Sequence, residues 1–185
     1  NGVTLDDYWS KELCERHATR YCALDNDETG RKVIYGKNGE FPIADQLGPL
    51  AQIVKWAKKD ANDIRQWCVR RGISDEKQVE MIRQRLNRSI TVAELAARDA
   101  AYRQKDKGLS VEEKNAAMMR AYDIIAKIKR DKKLSSELIT VFLRAFGVNV
   151  SQFNKNLKLA LGERSEDPTD DSTPTEHKAI YGGWF

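Results

Sequence analysis

Apolar residues recur at helical spacing through most of the chain, which predicts a mostly α-helical fold. Over residues 5–23 they fall three and four positions apart, and Thr4 precedes them as a candidate N-cap. Residues 43–72 repeat the pattern with an interruption at Gly48-Pro49. A further helix is expected after Ser74, whose hydroxyl can cap its first turn.

Two capping boxes mark the starts of later helices. Thr91 stands three residues before Glu94, and Ser110 stands three residues before Glu113, so each pair can satisfy amides of a first helical turn. The pattern predicts helices over about residues 92–108, 111–132, 136–146 and 150–161.

One segment has the pattern of β-structure. Residues 31–35 and 40–43 are short extended runs, and the Asn38-Gly39 pair lies between them. We therefore expect a small β-hairpin near residues 31–43, with Pro42 confining its second strand to an edge.

The domain organisation follows from length and composition. A chain of 185 residues with 41% apolar and 32% charged side chains can build one core. After Gly162 the apolar periodicity stops. We expect a single multi-helix domain over residues 1–162, followed at 163–185 by an acidic linker and an aromatic arm that together form an extended C-terminal tail.

The compartment is predicted from what the sequence lacks. No run of about 18 apolar residues occurs, so no membrane span is expected. Three cysteines, Cys14, Cys22 and Cys68, cannot all pair within one chain, which favours reduced thiols. These features favour a cytoplasmic or virion-associated protein.

Charge is strongly partitioned along the chain. Residues 51–161 carry 24 basic and 13 acidic side chains, whereas residues 1–50 have a net charge of −3 and residues 162–185 a net charge of −4. A helical body at +11 attracts the phosphates of nucleic acid, although solvated helix faces are the simpler explanation of such charges. The densest clusters supply the candidate phosphate-binding residues: Arg83, Arg85, Arg88, Lys127, Lys129, Arg130, Lys132 and Lys133.

Residues 142–158 resemble a helix-turn-helix motif. Gly147 would make the turn, and Phe146, Val148 and Phe153 stand where that motif has apolar residues. The resemblance implies a recognition helix, on whose exposed face lie Gln152, Asn154, Lys155, Asn156 and Lys158. The alternative is an ordinary helical hairpin whose turn needs a glycine.

No cofactor, metal or catalytic centre is predicted. Cys14, His17 and Cys22 lack the paired cysteine knuckle of structural zinc sites. The acidic run that begins at Asp25 has glycine where a calcium-binding loop requires its last carboxylate. Because no nucleophile elbow, metalloprotease helix or phosphate loop occurs either, we expect a non-enzymatic protein.

The arm at residues 179–185 is unusually apolar for the end of an acidic tail. We expect it to dock on its own body, on a neighbouring copy or on another protein, and an exchanged arm would make the protein a homo-oligomer. The docking residues would be Ile180, Tyr181, Trp184 and Phe185.

These features lead to one functional hypothesis and two alternatives. The hypothesis is a viral or phage nucleocapsid-like protein that coats RNA or DNA through backbone phosphates and self-associates through its arms. The first alternative is a sequence-specific DNA-binding regulator that uses residues 136–161. The second is a helical adaptor whose basic face binds an acidic protein.

Overall fold

The computed structural model describes residues 7–16, 19–36, 39–131 and 134–163. The fold within these ranges is mostly α-helical, as the apolar periodicity predicts, with nine helices and three short strands. In chain order the elements are α1 (Asp7–Arg16), β1 (Tyr21–Cys22), α2 (Glu28–Tyr35), α3 (Ile43–Leu47), β2 (Gln52–Ile53), α4 (Ala61–Arg70), α5 (Asp75–Asn87), β3 (Ile90–Thr91), α6 (Val92–Lys105), α7 (Val111–Asp131), α8 (Ser136–Phe146) and α9 (Val150–Leu161).

The largest core is built around α6 and α7. Helix α8 packs on α6, and α9 packs on α7. Four alanines of α6 are fully buried, and their small side chains let neighbouring helices approach closely. Beside them Tyr122 stacks on Phe146 with ring centroids 4.5 Å apart, and Phe142 and Phe153 complete an aromatic cluster.

The three strands join segments that are distant in sequence. Strand β1 pairs in parallel with β2, and β2 pairs antiparallel with β3, so that Ile53 lies opposite Ile90. The amide of Val92 also donates to the carbonyl of Ala51 over 2.9 Å. Chain segments before and after α4 and α5 are thereby held side by side.

The predicted β-hairpin near residues 31–43 is wrong, because its first strand is helix α2. The side chain of Asp27 accepts from the amide of Gly30 over 2.9 Å and caps this helix. Val33 and Ile34 are half-buried against the main core, so burial on a helical face outweighs their β-propensity. Pro42 precedes α3 instead of lying in an edge strand.

Two predicted helices are shorter than their apolar patterns suggested. The segment 5–23 divides into α1 and β1, and the segment 43–72 divides into α3, β2 and α4. Ile53 and Val54 are both buried although they lie in and just after an extended strand, which the helical pattern cannot distinguish.

The predicted starts of α5 to α9 are confirmed. At α7 both halves of the capping box form, since Glu113 N donates to Ser110 Oγ over 3.2 Å and Ser110 N donates to Glu113 Oε2 over 2.8 Å. At α6 Glu94 N donates to Thr91 Oγ1, while the Glu94 carboxylate binds Arg98. No helix in the described part of the chain is long and apolar enough to cross a membrane.

A second, smaller apolar cluster lies beside the main one. Its fully buried members are Val54, Trp56, Ile64 and Cys68, and α4 and α5 surround it. We call residues 54–88 the basic lobe, and we call the remaining described residues the main body. The amide of Asn26 donates to the carbonyl of Lys59 over 2.6 Å and ties the lobe to the loop before α2.

Candidate nucleic-acid interface

The basic lobe has ten Lys or Arg residues and five Asp or Glu residues, a net charge of +5. Nine of the ten cations are exposed, and Arg85 is half-buried. The cations are Lys55, Lys58, Lys59, Arg65, Arg70, Arg71, Lys77, Arg83, Arg85 and Arg88.

These cations have almost no carboxylate partners. Lys59 lies 3.8 Å from both Asp25 and Asp27, and it is the one lobe cation that forms an ion pair within the described residues. Arg70 instead donates to the carbonyl of Gln66, and the guanidinium of Arg71 lies 4.7 Å from the centre of the Trp67 ring. Apart from Lys59, the lobe therefore presents cations that pair with no acidic side chain in the described part of the chain.

The positions of the lobe acids explain this lack of pairing. Asp60 caps α4 by accepting from the amide of Asp63 over 2.7 Å, and Asp75 and Glu76 lie in the first turn of α5. Carboxylates there interact favourably with free amides and with the positive end of the helix dipole. The arginines cluster later in each helix, for example Arg70 in α4 and Arg85 in α5. Charges of opposite sign are thus largely separated along each helix, and Glu80, the lobe acid in the middle of α5, accepts a hydrogen bond from Gln84 over 3.2 Å.

In the main body, cations are often paired. Five ion pairs link residues four apart within a helix: Lys11 with Glu15, Glu12 with Arg16, Glu28 with Lys32, Glu94 with Arg98, and Asp99 with Arg103. The Lys32 ammonium lies 2.7 Å from the Glu28 carboxylate and holds the pKa of that carboxyl below its ordinary value. Much of the positive charge in this region is already matched by acids.

The two predicted phosphate-binding clusters have different surroundings. Arg83, Arg85 and Arg88 belong to the basic lobe and have no ion pair among the described residues. Lys127 of α7, by contrast, binds Asp45 of α3, and Lys129 lies 3.4 Å from Glu163. The side chain of Arg130 lies outside the described part, as do Lys132 and Lys133 altogether.

The helix-turn-helix candidate has the predicted turn. Gly147 adopts a left-handed conformation with φ of 68°, and the side chain of Asn149 caps α9 by accepting from the Gln152 amide over 2.9 Å. Phe146 and Phe153 are buried as the motif requires. Each helix packs mainly on a different neighbour, α8 on α6 and α9 on α7.

The face of α9 that points away from α7 is polar. Gln152, Asn154, Lys155 and Lys158 are exposed, and Asn156 is half-buried. The Gln152 side-chain amide donates to Asn156 over 2.8 Å. Tyr122 lies fully buried on the other side of this helix, and burial raises the pKa of its hydroxyl.

A cavity of about 210 Å³ lies between α4 and α5 in the lobe. Its walls are Ala57, Ile64, Trp67 and Met81, and two cations, Lys58 and Arg85, complete the lining. Trp67 is half-buried, whereas the other tryptophan of the lobe, Trp56, is 9% exposed and belongs to the core. Tyr102 of α6 is 73% exposed.

The density of basic residues along the chain predicts phosphate binding equally for residues 127–133 and for residues 83–88. It does not identify the arginines of α4 as candidates. The spacing of acids relative to cations predicts better which cations of these helices are unpaired. Within α4 and α5 no Lys or Arg has an acid four residues away, whereas Glu94 and Asp99 of α6 each have an arginine at that distance. Within α4, α5 and α6 that spacing separates unpaired from paired cations in the sequence itself.

The C-terminal arm and the cysteines add no site to the described part of the chain. Ile180, Tyr181, Trp184 and Phe185 lie outside the described residues. In the ranges that the structure describes, no three His, Cys, Asp or Glu side chains are grouped so that they could hold a metal. All three cysteines are free thiols, and burial raises the pKa of Cys22.

Comparison of the chain with known protein families, with curated proteins and with solved structures finds no match.

Proposed function

We propose that this protein is a non-enzymatic nucleic-acid-binding protein that coats or organises RNA or DNA, and that it holds the phosphate backbone on the basic lobe. The observation that supports this proposal is the set of exposed lobe cations without carboxylate partners. Such cations can bind phosphates and release condensed counterions without first breaking an ion pair. A protein that makes six to ten such contacts loses about 10³- to 10⁵-fold in affinity between 50 and 200 mM salt.

The test compares two variants with the same change in charge. In the lobe variant Arg65, Arg70, Arg83 and Arg88 become Gln, and in the body variant Lys11, Arg16, Lys32 and Arg98 become Gln. The side chains of the second set are 57% to 76% exposed and all are ion-paired, so both variants should fold.

Binding is measured by fluorescence anisotropy with random single- and double-stranded oligonucleotides over a range of salt concentrations. The lobe variant should lower the slope of log affinity against log salt by roughly three, because each lost phosphate contact removes about 0.7 to 0.9. The body variant should leave the slope nearly unchanged. Equal losses in the two variants, or binding by the parent that salt does not weaken, would contradict the proposal.

Polyglutamate of matched charge serves as the competitor for the adaptor alternative. A basic face that meets an acidic protein should bind polyglutamate as tightly as it binds oligonucleotide. Preference for oligonucleotide supports phosphate recognition, since guanidinium groups form paired hydrogen bonds with phosphate as well as electrostatic contacts.

In a coat-like protein the copies also associate with one another, and residues 179–185 are the proposed contact. Removal of these residues should then reduce the particle mass measured by light scattering in the presence of nucleic acid more than it reduces thermal stability. An unchanged mass would rule out the arm as the link between copies.

A second candidate function uses α9 as a recognition helix. It is favoured by the left-handed Gly147 and by the exposed amides of Gln152 and Asn154. Asn154→Ala with Asn156→Ala should relax base preference while the salt dependence stays as in the parent. Identical binding of every sequence by parent and variant would exclude this role.

A further inference from the structure

The cavity between α4 and α5 combines an apolar interior with two cations. Ile64 is buried, and the Trp67 ring and the Met81 side chain are half-buried beside it. Lys58 and Arg85 have no ion pair in the described part of the chain. A half-buried guanidinium without an acid favours a ligand that carries negative charge next to an apolar group.

The chemistry of the lining distinguishes two kinds of ligand. Among its side chains the polar groups are the Lys58 ammonium, the Arg85 guanidinium and the Trp67 indole N–H, and all of them are donors. A nucleobase has acceptors and donors on its edges, and the donors would be buried against apolar walls without partners. A phenylalanine ring beside a carboxylate has no such unpaired groups.

The chain itself contains an acidic segment that ends in aromatic residues; its acid nearest to them is Glu176, and Lys178 lies between. Residues 163–185 carry six acidic and two basic side chains, a net charge of −4, and they end in a cluster of one isoleucine and three aromatic residues. This charge is opposite to the +5 of the basic lobe. The cluster consists of Ile180, Tyr181, Trp184 and Phe185.

We propose that, in the absence of nucleic acid, residues 180–185 dock into the α4–α5 cavity of the same chain, with an aromatic ring against Trp67 and Met81 and with acidic residues of the linker near Lys58 and Arg85. Nucleic acid on the lobe would displace the arm and free it for the contact between copies. The residues between Glu163 and Ile180 can span roughly 50 Å when extended. A domain of this size has a radius of gyration of about 15 Å, so the cavity is within reach. Attachment to the same chain through a short linker raises the local concentration to about the millimolar range, which favours the same chain over a neighbour.

The test uses the full chain with Tyr181 replaced by the photoreactive residue p-benzoylphenylalanine, without nucleic acid. After irradiation the product should keep the mass of one chain, and peptide mapping should place the crosslink within residues 57–85, at Ile64 or Met81. A crosslink confined to other residues, a product of twice the mass, or no crosslink would overturn the proposal.

Charge variants separate docking at the cavity from general attraction to the lobe. Lys58→Glu with Arg85→Glu should lower the crosslink yield several-fold more than the matched control, Lys77→Glu with Arg83→Glu. The control makes the same change in charge at two positions of α5 that do not line the cavity. Equal losses in the two pairs would show that the cavity is not the acceptor.

A third variant does not depend on charge. Ala57 is exposed and lines the cavity, so Ala57→Trp should fill the cavity without disturbing the fold. It should reduce the crosslink yield several-fold while circular dichroism stays unchanged, and an unchanged yield would count against docking.

A crosslinking experiment with an oligonucleotide that carries 4-thiouracil tests the alternative that the cavity holds a nucleobase. If the oligonucleotide crosslinks to Trp67 while the probe at position 181 does not react with the lobe, the cavity holds a base and the docking proposal fails. Because docking is measured without nucleic acid, its failure leaves phosphate binding on the lobe intact, and the reverse also holds.

Discussion

The basic lobe and the main body are both made of amphipathic helices with many lysines and arginines, but they differ in where the acids lie. In α6 Glu94 and Asp99 each precede an arginine by four residues and pair with it. In α4 and α5 four of the five lobe acids lie at helix starts and the fifth, Glu80, accepts from Gln84, which leaves the arginines unpaired. A net charge summed over residues 51–161 hides this difference. The position of acids relative to cations, more than the number of cations, locates the candidate surface.

The two regions also differ in the size of their cores. The main body buries the aromatic cluster around Tyr122 and the alanines of α6, whereas the lobe buries four residues between a loop and two helices. A small core contributes less to stability, so we expect the lobe to open locally while the main body stays folded.

The largest expected effect tests this difference in stability. Phe142→Ala removes a ring with 0% exposure and should lower the free energy of unfolding of the whole domain by about 3–5 kcal/mol. Ile64→Ala should cost about 2–4 kcal/mol in the lobe only. Native-state hydrogen exchange measures both, and equal loss of protection in α6 and α7 in the Ile64→Ala variant would show that the two cores unfold as one unit.

A smaller effect tests whether ion pairing prevents the cations of the main body from binding nucleic acid. Glu12→Gln, Glu28→Gln and Glu94→Gln together should free Arg16, Lys32 and Arg98. We expect tighter oligonucleotide binding and a salt slope that is steeper by about one to two, measured by the same anisotropy titration.

The matched control for that variant removes three acids that have no ion pair among the described residues, with Glu112→Gln, Asp123→Asn and Glu137→Gln. Its net charge changes equally, but it breaks no ion pair between described residues. If the control tightens binding as much as the first variant, net charge alone governs affinity, and the distinction between lobe and main body loses its meaning.

The smallest effect concerns acid and two serine-capped helices, α5 and α7. Hydrogen bonds from the backbone amide and hydroxyl of Ser110 lower the pKa of Glu113 in the main body, and the pKa of Glu76 in the lobe is also lowered, by its own backbone amide and by Ser74. A carboxyl with a lowered pKa stabilises the fold above its unfolded pKa, near 4.3, and that contribution is lost as the pH falls through the folded pKa.

We therefore expect the first turns of α5 and α7 to lose amide protection between about pH 5 and pH 3. Glu113→Gln should make the first turn of α7 insensitive to pH in this range, while α5 responds as before. Amide exchange followed by NMR measures both turns in one sample. A Glu113→Gln variant whose α7 amides still respond to acid would show that the effect has another source.

Much of the fold was predictable from local chemistry. Thr91, Ser110 and Asn149 act on neighbouring amides within one turn, so their effects can be inferred from sequence alone. Val33 and Ile34 misled the prediction because the core they face is built from distant residues. The two-residue strands are too short to show an alternating pattern.

The candidate site was predictable in part. The arginines of α5 were identified from their density, and the spacing of acids would have added those of α4. The contact of Lys127 with Asp45 joins residues that are 82 positions apart, and the partner of Lys129 is 34 positions away. Pairing at such distances depends on how helices pack, which the pattern of charges along the chain does not specify.

The antiparallel pairing of β2 with β3 has a consequence for engineering. Because Ile53 lies opposite Ile90, the chain leaves the main body after β2 and returns to it at β3, at a neighbouring point. The basic lobe is the segment between these two points. A two-residue Asn-Gly turn is the natural closure for paired antiparallel strands. The segment between the strands can therefore be treated as a cassette: it can be excised, or exchanged for another sequence, at a single junction.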